Sequence, residues 1–264
     1  MILADTHVHV YPGHDLGAVL RAGRNNLCHA ARDAGMDPAK AAFALFLAEC
    51  GDCDFFVKLA SGAMRLSEPL LIERTGDPEG LWIRDDGGFR ILLVAGRQLV
   101  SKCRLEVLAL ALRPGQEVRG GGELSDLIVE VKKAGAVPVL PWAPGKWTGI
   151  RGRTVLEWMS REENHGAMPA DTSFRPVGWR EPAPFAAARS RGISVLAGTD
   201  PLPLPGEERR VGTYGIAIRG GLDPGCPVQS LCEAISAGGR EVKRIGSRRS
   251  FPEIVRKQVA LRVR

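Results

Sequence analysis

The chain has 264 residues, 44% of them hydrophobic and 25% charged, and carries a net charge of +6. That size supports one large buried core, and six scattered cysteines do not suggest a disulfide framework and are read as reduced thiols. No apolar run is long enough to span a bilayer and no signal-peptide pattern is visible, so the expected location is cytoplasmic.

In chain order, "ILADTHVHV" reads as a first strand that ends in a loop at Pro12 and Gly13. Strand side chains alternate, so His7 and His9 share one side. Two imidazoles at i and i+2 on a strand end can share one metal ion, and His14 or Asp15 could fold back as a further ligand. The competing reading is a buried, hydrogen-bonded histidine pair with no ion.

Helices are expected over 15–35 and 37–50, the second opened by Asp37 with Pro38 behind it. "CDFFVKLAS" reads as a second strand, and residues 70–95 as short strands joined by Asp/Gly turns. "RLEVLALAL" is a strand, "LSDLIVEVKKAGA" a helix with Ser125 as cap, and "VPVLPWA" a strand. "GRTVLEWMSREE" and "PAPFAAARSRG" read as helices, and "ISVLAGTD" as a late strand. Alternation of this kind predicts a parallel barrel or open parallel sheet over residues 1–237, followed by a basic extension, 238–264, that is helical and packed on the barrel.

In a parallel barrel the chemistry gathers at the carboxyl ends of strands. Those ends carry His7 and His9, Lys58, Gln98, Trp142 with Lys146, and Asp200. Asp200 facing the histidine pair could bind the ion or take a proton from a metal-activated water, whose pKa the ion lowers toward ~7. Alternatively it simply forms the turn before Pro201.

"DTHVHVYPGHDLG" and "ISVLAGTDPLPL" with the following "RRVGTYG" resemble the opening and late motifs of the PHP (polymerase and histidinol phosphatase) family, and more distantly those of amidohydrolase barrels. "SLCEAISAGGREVKRIG" is similar to the family's closing helix. The resemblance implies a distorted TIM-like (β/α)7 parallel barrel, a metal-dependent phosphoesterase-like activity, and one or two divalent ions (zinc, manganese or iron) on His7, His9, Asp15 and Asp200. Four positions depart from the pattern: Leu59-Ala60-Ser61 and Trp142 stand where histidines are usual, Gln98 where a bridging glutamate is usual, and Leu202 where a last histidine is usual. An amide binds metal more weakly than a carboxylate, and Trp and Leu do not bind it. A full trinuclear site is therefore not expected. Glu106 or Asp54 would have to complete the site if hydrolysis were strong.

The loop "PWAPGKWTGIRGR" offers Lys146, Arg151 and Arg153 to clamp an anionic small-molecule substrate and Trp142 to stack on a ring. Arg175 is a further anion contact. The alternative packs the tryptophans under the loop and leaves the charges in solvent. Residues 238–264 hold nine Lys or Arg against Glu241 and Glu253, a local charge of +7 that leaves −1 for the rest. A solvated final helix is the plain reading, and a nucleic-acid patch the sharper one. Three functions follow: a metal-dependent hydrolase, a catalytically degenerate PHP-like protein that binds a ligand or partner, and a nucleic-acid-associated protein acting through its tail.

Overall fold

A computed structural model describes residues 1–51, 53–66 and 70–262. Strand β1 (Ile2–Val8) is buried along its whole length. Its two faces enter different cores. Leu3 packs with Val19, Leu20 and Leu27 of helix α1 (Leu16–Asp33), while Ile2 and Ala4 meet Phe46, Leu92 and Val139 on the other side. This explains the nearly unbroken apolar start: a strand covered on both faces has no polar side to alternate with.

β1 lies in a seven-stranded sheet with β2 (Ala42–Leu47), β3 (Leu71–Arg74), β4 (Gly80–Arg84), β5 (Arg90–Val94), β11 (Tyr214–Ile218) and β12 (Lys243–Gly246), in the order β12-β11-β1-β2-β5-β4-β3. A second sheet of five strands runs β10-β9-β8-β7-β6, with β6 (Gly96–Val100), β7 (Glu106–Leu110), β8 (Val137–Pro141), β9 (Met168–Thr172) and β10 (Leu196–Gly198). Leu108, Val139, Met168 and Leu196 of this sheet pack against Ile2, Phe46 and Leu92 of the first. Leu127, Ile128 and Val131 of α3 (Leu124–Lys133) and Val155 and Met159 of α4 (Gly149–Ser160) share a core on the second sheet's other side with Phe185 of α5 (Ala183–Ser190).

The expected TIM-like (β/α)7 parallel barrel is not what forms. The ladders are mixed: β1–β2, β2–β5, β8–β9 and β9–β10 are parallel, whereas β1–β11, β11–β12, β3–β4, β4–β5, β6–β7 and β7–β8 are antiparallel. The reason is connection length. A parallel pair needs a crossover of about a dozen residues, and here tight turns join several neighbours instead. Asp85 and Phe89 close one hairpin, with Asp85 N donating to Phe89 O at 3.1 Å and Phe89 N to Asp85 Oδ1 at 2.8 Å. Ser101 and Leu105 close another, with Ser101 N donating to Leu105 O at 2.9 Å. The edge strands of the second sheet, β10 and β6, meet the ends of β1 and β2, which are interior strands of the first, through Asp200 N donating to His7 O at 2.9 Å and a parallel bridge of Glu49 with Arg97.

Several elements differ from expectation. Residues 37–50 form only a short 3-10 turn (Pro38–Lys40) before β2, although Asp37 does cap it by accepting from Ala39 N. "AFALFL" is a continuous apolar run, which periodicity cannot assign to helix or strand. Conversely, "FFVKLA" is helix α2 (Phe55–Ala60), burying Phe56 and Leu59 three residues apart. Strands β6, β9, β11 and β12 were not anticipated, and α3 starts after Glu123 rather than at Ser125, whose hydroxyl bonds Asp126. Beyond α6 (Pro227–Gly238), the basic tail contributes β12, paired with β11, and helix α7 (Phe251–Arg262). No described helix is long and apolar enough to cross a membrane.

Candidate metal centre

His7 is buried in β1 and His9 lies just past its end, both on the same side. Their Nε2 atoms are 3.0 Å apart, and each lies 3.6 Å from Asp200 Oδ1. Asp200 follows β10 with a backbone φ of 54°, a left-handed conformation that non-glycine residues rarely adopt and that Asp tolerates better than most. This turn, together with the bond from its amide to His7 O, brings the carboxylate over the histidine pair.

Two neighbours hold the junction. Gly198 permits it: a β-carbon there would lie 2.4 Å from His7 Cβ and 2.5 Å from His7 N. Asp5 locks it from below. Its Oδ1 accepts from His7 N at 3.1 Å and Thr199 N at 2.9 Å, and its Oδ2 accepts from Gly212 N at 2.8 Å. Burial pushes its pKa up to about 6, against the pull of those hydrogen bonds. Asp5 is thus a positioning carboxylate, committed to backbone amides.

The triad passes a simple test for a cation. Burial lowers both histidines to about pKa 4, so both are neutral at neutral pH. Their Nδ1 atoms are buried without a hydrogen-bond partner. With the proton on each Nδ1, two Nε2 lone pairs and a carboxylate oxygen converge with no hydrogen between them, an arrangement that a cation would relieve. Ligands ~2.0–2.1 Å from a tetrahedral zinc are about 3.3 Å apart, close to the edges of this triangle. Two imidazoles and one carboxylate suit zinc, manganese or iron.

Of the other expected site residues, Asp15 does not join the triad. It is exposed and caps α1, accepting from Gly17 N at 2.9 Å. His14 instead stands edge-on to Tyr11, whose ring lies 5.7 Å from His9. Lys146 comes close: it is bonded to Glu106, and its charge is felt at both His7 and Asp200. Gln98, on β6, lies near both histidines, and its Nε2 donates to Glu106 Oε1 at 3.4 Å. The bridge between Glu49 and Arg97 carries Gln98 there. Glu106 had no motif to announce it. Its only signal was a carboxylate at the start of an apolar strand.

Trp142 is buried beside β8 and so offers no open ring face, and its backbone N–H donates to Ala170 O while its backbone O accepts from Thr172 Oγ1. Arg151 donates to Gly145 O at 2.9 Å and ties the loop to itself. Arg175 is buried and bonds both oxygens of Asp171, at 2.8 and 2.5 Å. Asp54 pairs with Arg97 at 2.5 Å. The six cysteines are free. Asp52, and Arg264 of the tail, lie outside the described residues.

No family model matches the chain, and no curated protein does. Among solved structures the chain is similar to PsfC from Pseudomonas syringae PB-5123, at 17% identity and a TM-score of 0.58 over 98% of this chain and 97% of that one. That likeness concerns the fold alone.

Proposed function

We propose that His7, His9 and Asp200 hold one divalent cation and that the protein is a metal-dependent hydrolase of the phosphoesterase type, as the resemblance of its opening and late motifs to the PHP family implies. The observation that carries the reading is the convergence of three buried or half-buried ligand atoms within 4.8 Å of one another. A bound cation supplies Lewis acidity and lowers the pKa of a coordinated water. The chain supplies the rest. The two histidines present neutral nitrogens, and Asp200 contributes negative charge and, as a base, a place for a proton. Lys146, held by Glu106, offers an ammonium to an anionic substrate oxygen at the same mouth. Gln98, beside the histidines, adds no charge to the site.

Gln98 also favours the second reading, a protein that binds an anionic ligand without turnover. With an amide in place of a carboxylate, and Trp142 and Leu202 in two further ligand places, a second ion has few donors. One experiment separates the two. Protein purified without chelator is analysed for zinc, manganese and iron, then assayed on p-nitrophenyl phosphate with each metal added. The hydrolase reading expects about one ion per chain and slow, metal-dependent turnover. One ion with no turnover of p-nitrophenyl phosphate under any metal supports the binding protein. No ion after supplementation removes the basis of both.

A further inference from the structure

A cavity of about 770 Å³ lies away from the metal centre. None of His7, His9, Gln98, Lys146 or Asp200 lines it. Arg175 and Arg189 reach it from the body of the fold, and Arg240, Lys243, Arg244 and Arg248 from the tail. Against these six cations stand Glu181 on the wall and the buried Asp171 beneath, leaving an excess of four positive charges.

The cations are of two kinds. Arg175, Arg189 and Arg244 are paired. Arg175 and Arg244 share Asp171, which also accepts from the Tyr214 hydroxyl at 2.8 Å, and Arg244 and Arg189 share Glu181. These pairs make a rigid, nearly neutral floor. Arg240, Lys243 and Arg248 have no carboxylate partner among the described residues, and Arg240 and Lys243 are exposed. Three uncompensated cations converging on one concave wall repel one another, and that repulsion is relieved when a multivalent anion enters.

The cavity also has a ring face. Trp179 lines it while 53% exposed, and Phe251, which does not line it, stacks on Trp179 at 6.2 Å and 22°. An exposed, pre-ordered tryptophan beside a cluster of arginines offers a stacking surface within reach of phosphate donors. We propose that this cavity is a binding site for a small phosphorylated ligand bearing an aromatic ring, of the nucleotide class, with phosphates on Arg240, Lys243 and Arg248 and the ring on Trp179. The site stands independently of the metal centre. It also gives the basic tail a function different from strand binding: four of its cations are gathered around a small-molecule cavity.

The test is calorimetric titration of the full chain with ATP, inorganic pyrophosphate and a short single-stranded oligonucleotide, at low and physiological salt and with chelator present. ATP is expected to bind more tightly than pyrophosphate. Arg240→Ala and Lys243→Ala, both exposed positions, are each expected to weaken both ligands roughly tenfold. Trp179→Ala is expected to weaken ATP about five- to tenfold and leave pyrophosphate unchanged, with Trp179→Phe restoring most of the loss. Binding should persist in His7→Ala and His9→Ala. The proposal is overturned by no binding of ATP in the wild type, by ATP binding that ignores Arg240→Ala and Lys243→Ala, by loss of binding in the histidine variants, by ATP no tighter than pyrophosphate or indifferent to Trp179→Ala, or by an oligonucleotide that binds more tightly per molecule than ATP through the same residues.

Discussion

Gly198 is where the metal centre depends most on the absence of a side chain. A methyl group added there would meet His7 Cβ at 2.4 Å and cannot be accommodated without moving β1 or β10. Gly198→Ala is expected to cost roughly 1–3 kcal/mol of stability and to weaken metal binding, because the strain falls on the junction that aims Asp200. Thermal melts and metal titration measure the two effects separately, and a variant with wild-type values in both would remove Gly198 from this role. His7→Ala and His9→Ala should each abolish stoichiometric metal with little loss of fold, as read by elemental analysis beside circular dichroism. Gln98→Glu should raise metal affinity roughly tenfold, because a charged acceptor then reaches the histidines. It should not bring strong turnover while Trp142 and Leu202 keep their places. Titration showing unchanged affinity would place the Gln98 side chain outside the coordination sphere.

At the level of elements, the tail is tied to the body by a buried ion pair. Arg249 is buried and bonds both oxygens of Glu207, at 3.0 and 2.6 Å, while Lys257 of α7 bonds Glu207 at 2.8 Å. Burial alone would raise the pKa of Glu207, but the bonds from Arg249 and Lys257 outweigh it and hold the carboxyl at about 2, against 4.5 for the free group. A depressed carboxylate contributes stability that is fully present above pH ~4.5 and is lost as pH falls through ~2. A shift of this size corresponds to roughly 3 kcal/mol. Urea melts between pH 5 and 2 should therefore show a decline that Glu207→Gln flattens. Arg249→Met leaves Glu207 short of its main partner and should cost roughly 3–5 kcal/mol. Part of this should return in the Arg249→Met/Glu207→Gln double variant. A single variant that melts like the wild type would show that α7 is not anchored through this pair.

For the whole molecule, the tail's charge and its structure cannot be removed independently. Deleting residues 239–264 takes away β12, which pairs with β11 through Tyr214, Gly215, Ile216 and Ala217, together with Arg249 and the buried Ile245. Such a truncation is expected to lower the melting temperature markedly, so any loss of anion binding in it would report unfolding as much as charge. Thermal scans of the truncated chain decide this, and an unchanged transition would make the tail a dispensable appendage. The point substitutions Arg240→Ala and Lys243→Ala avoid the difficulty.

The sequence by itself determined the local features. Strict alternation put His7 and His9 on one side, the terminal Asp of "LAGTD" stood out as a strand-end carboxylate, and Asp37, Pro38 and the Asp/Gly turns marked their breaks, because each of these depends on neighbours within a few residues. Short apolar runs such as "AFALFL" and "FFVKLA" were misread, since helix and strand bury them equally well and only packing partners choose. The barrel was misjudged for a related reason. Alternating elements do not reveal which strands pair, and the hairpins at Asp85–Phe89 and Ser101–Leu105 turned neighbours antiparallel. Asp200 facing the histidine pair across some 190 positions, and Gln98 at the same end, were expected from their places at strand ends; the meeting of Gln98 with Glu106 and of Arg249 with Glu207 belongs to the tertiary structure alone. The +7 of the tail was legible as a number. That part of it is buried in an ion pair and part gathered around a cavity was not, because burial and charge pairing are set by which surfaces the folded chain brings together.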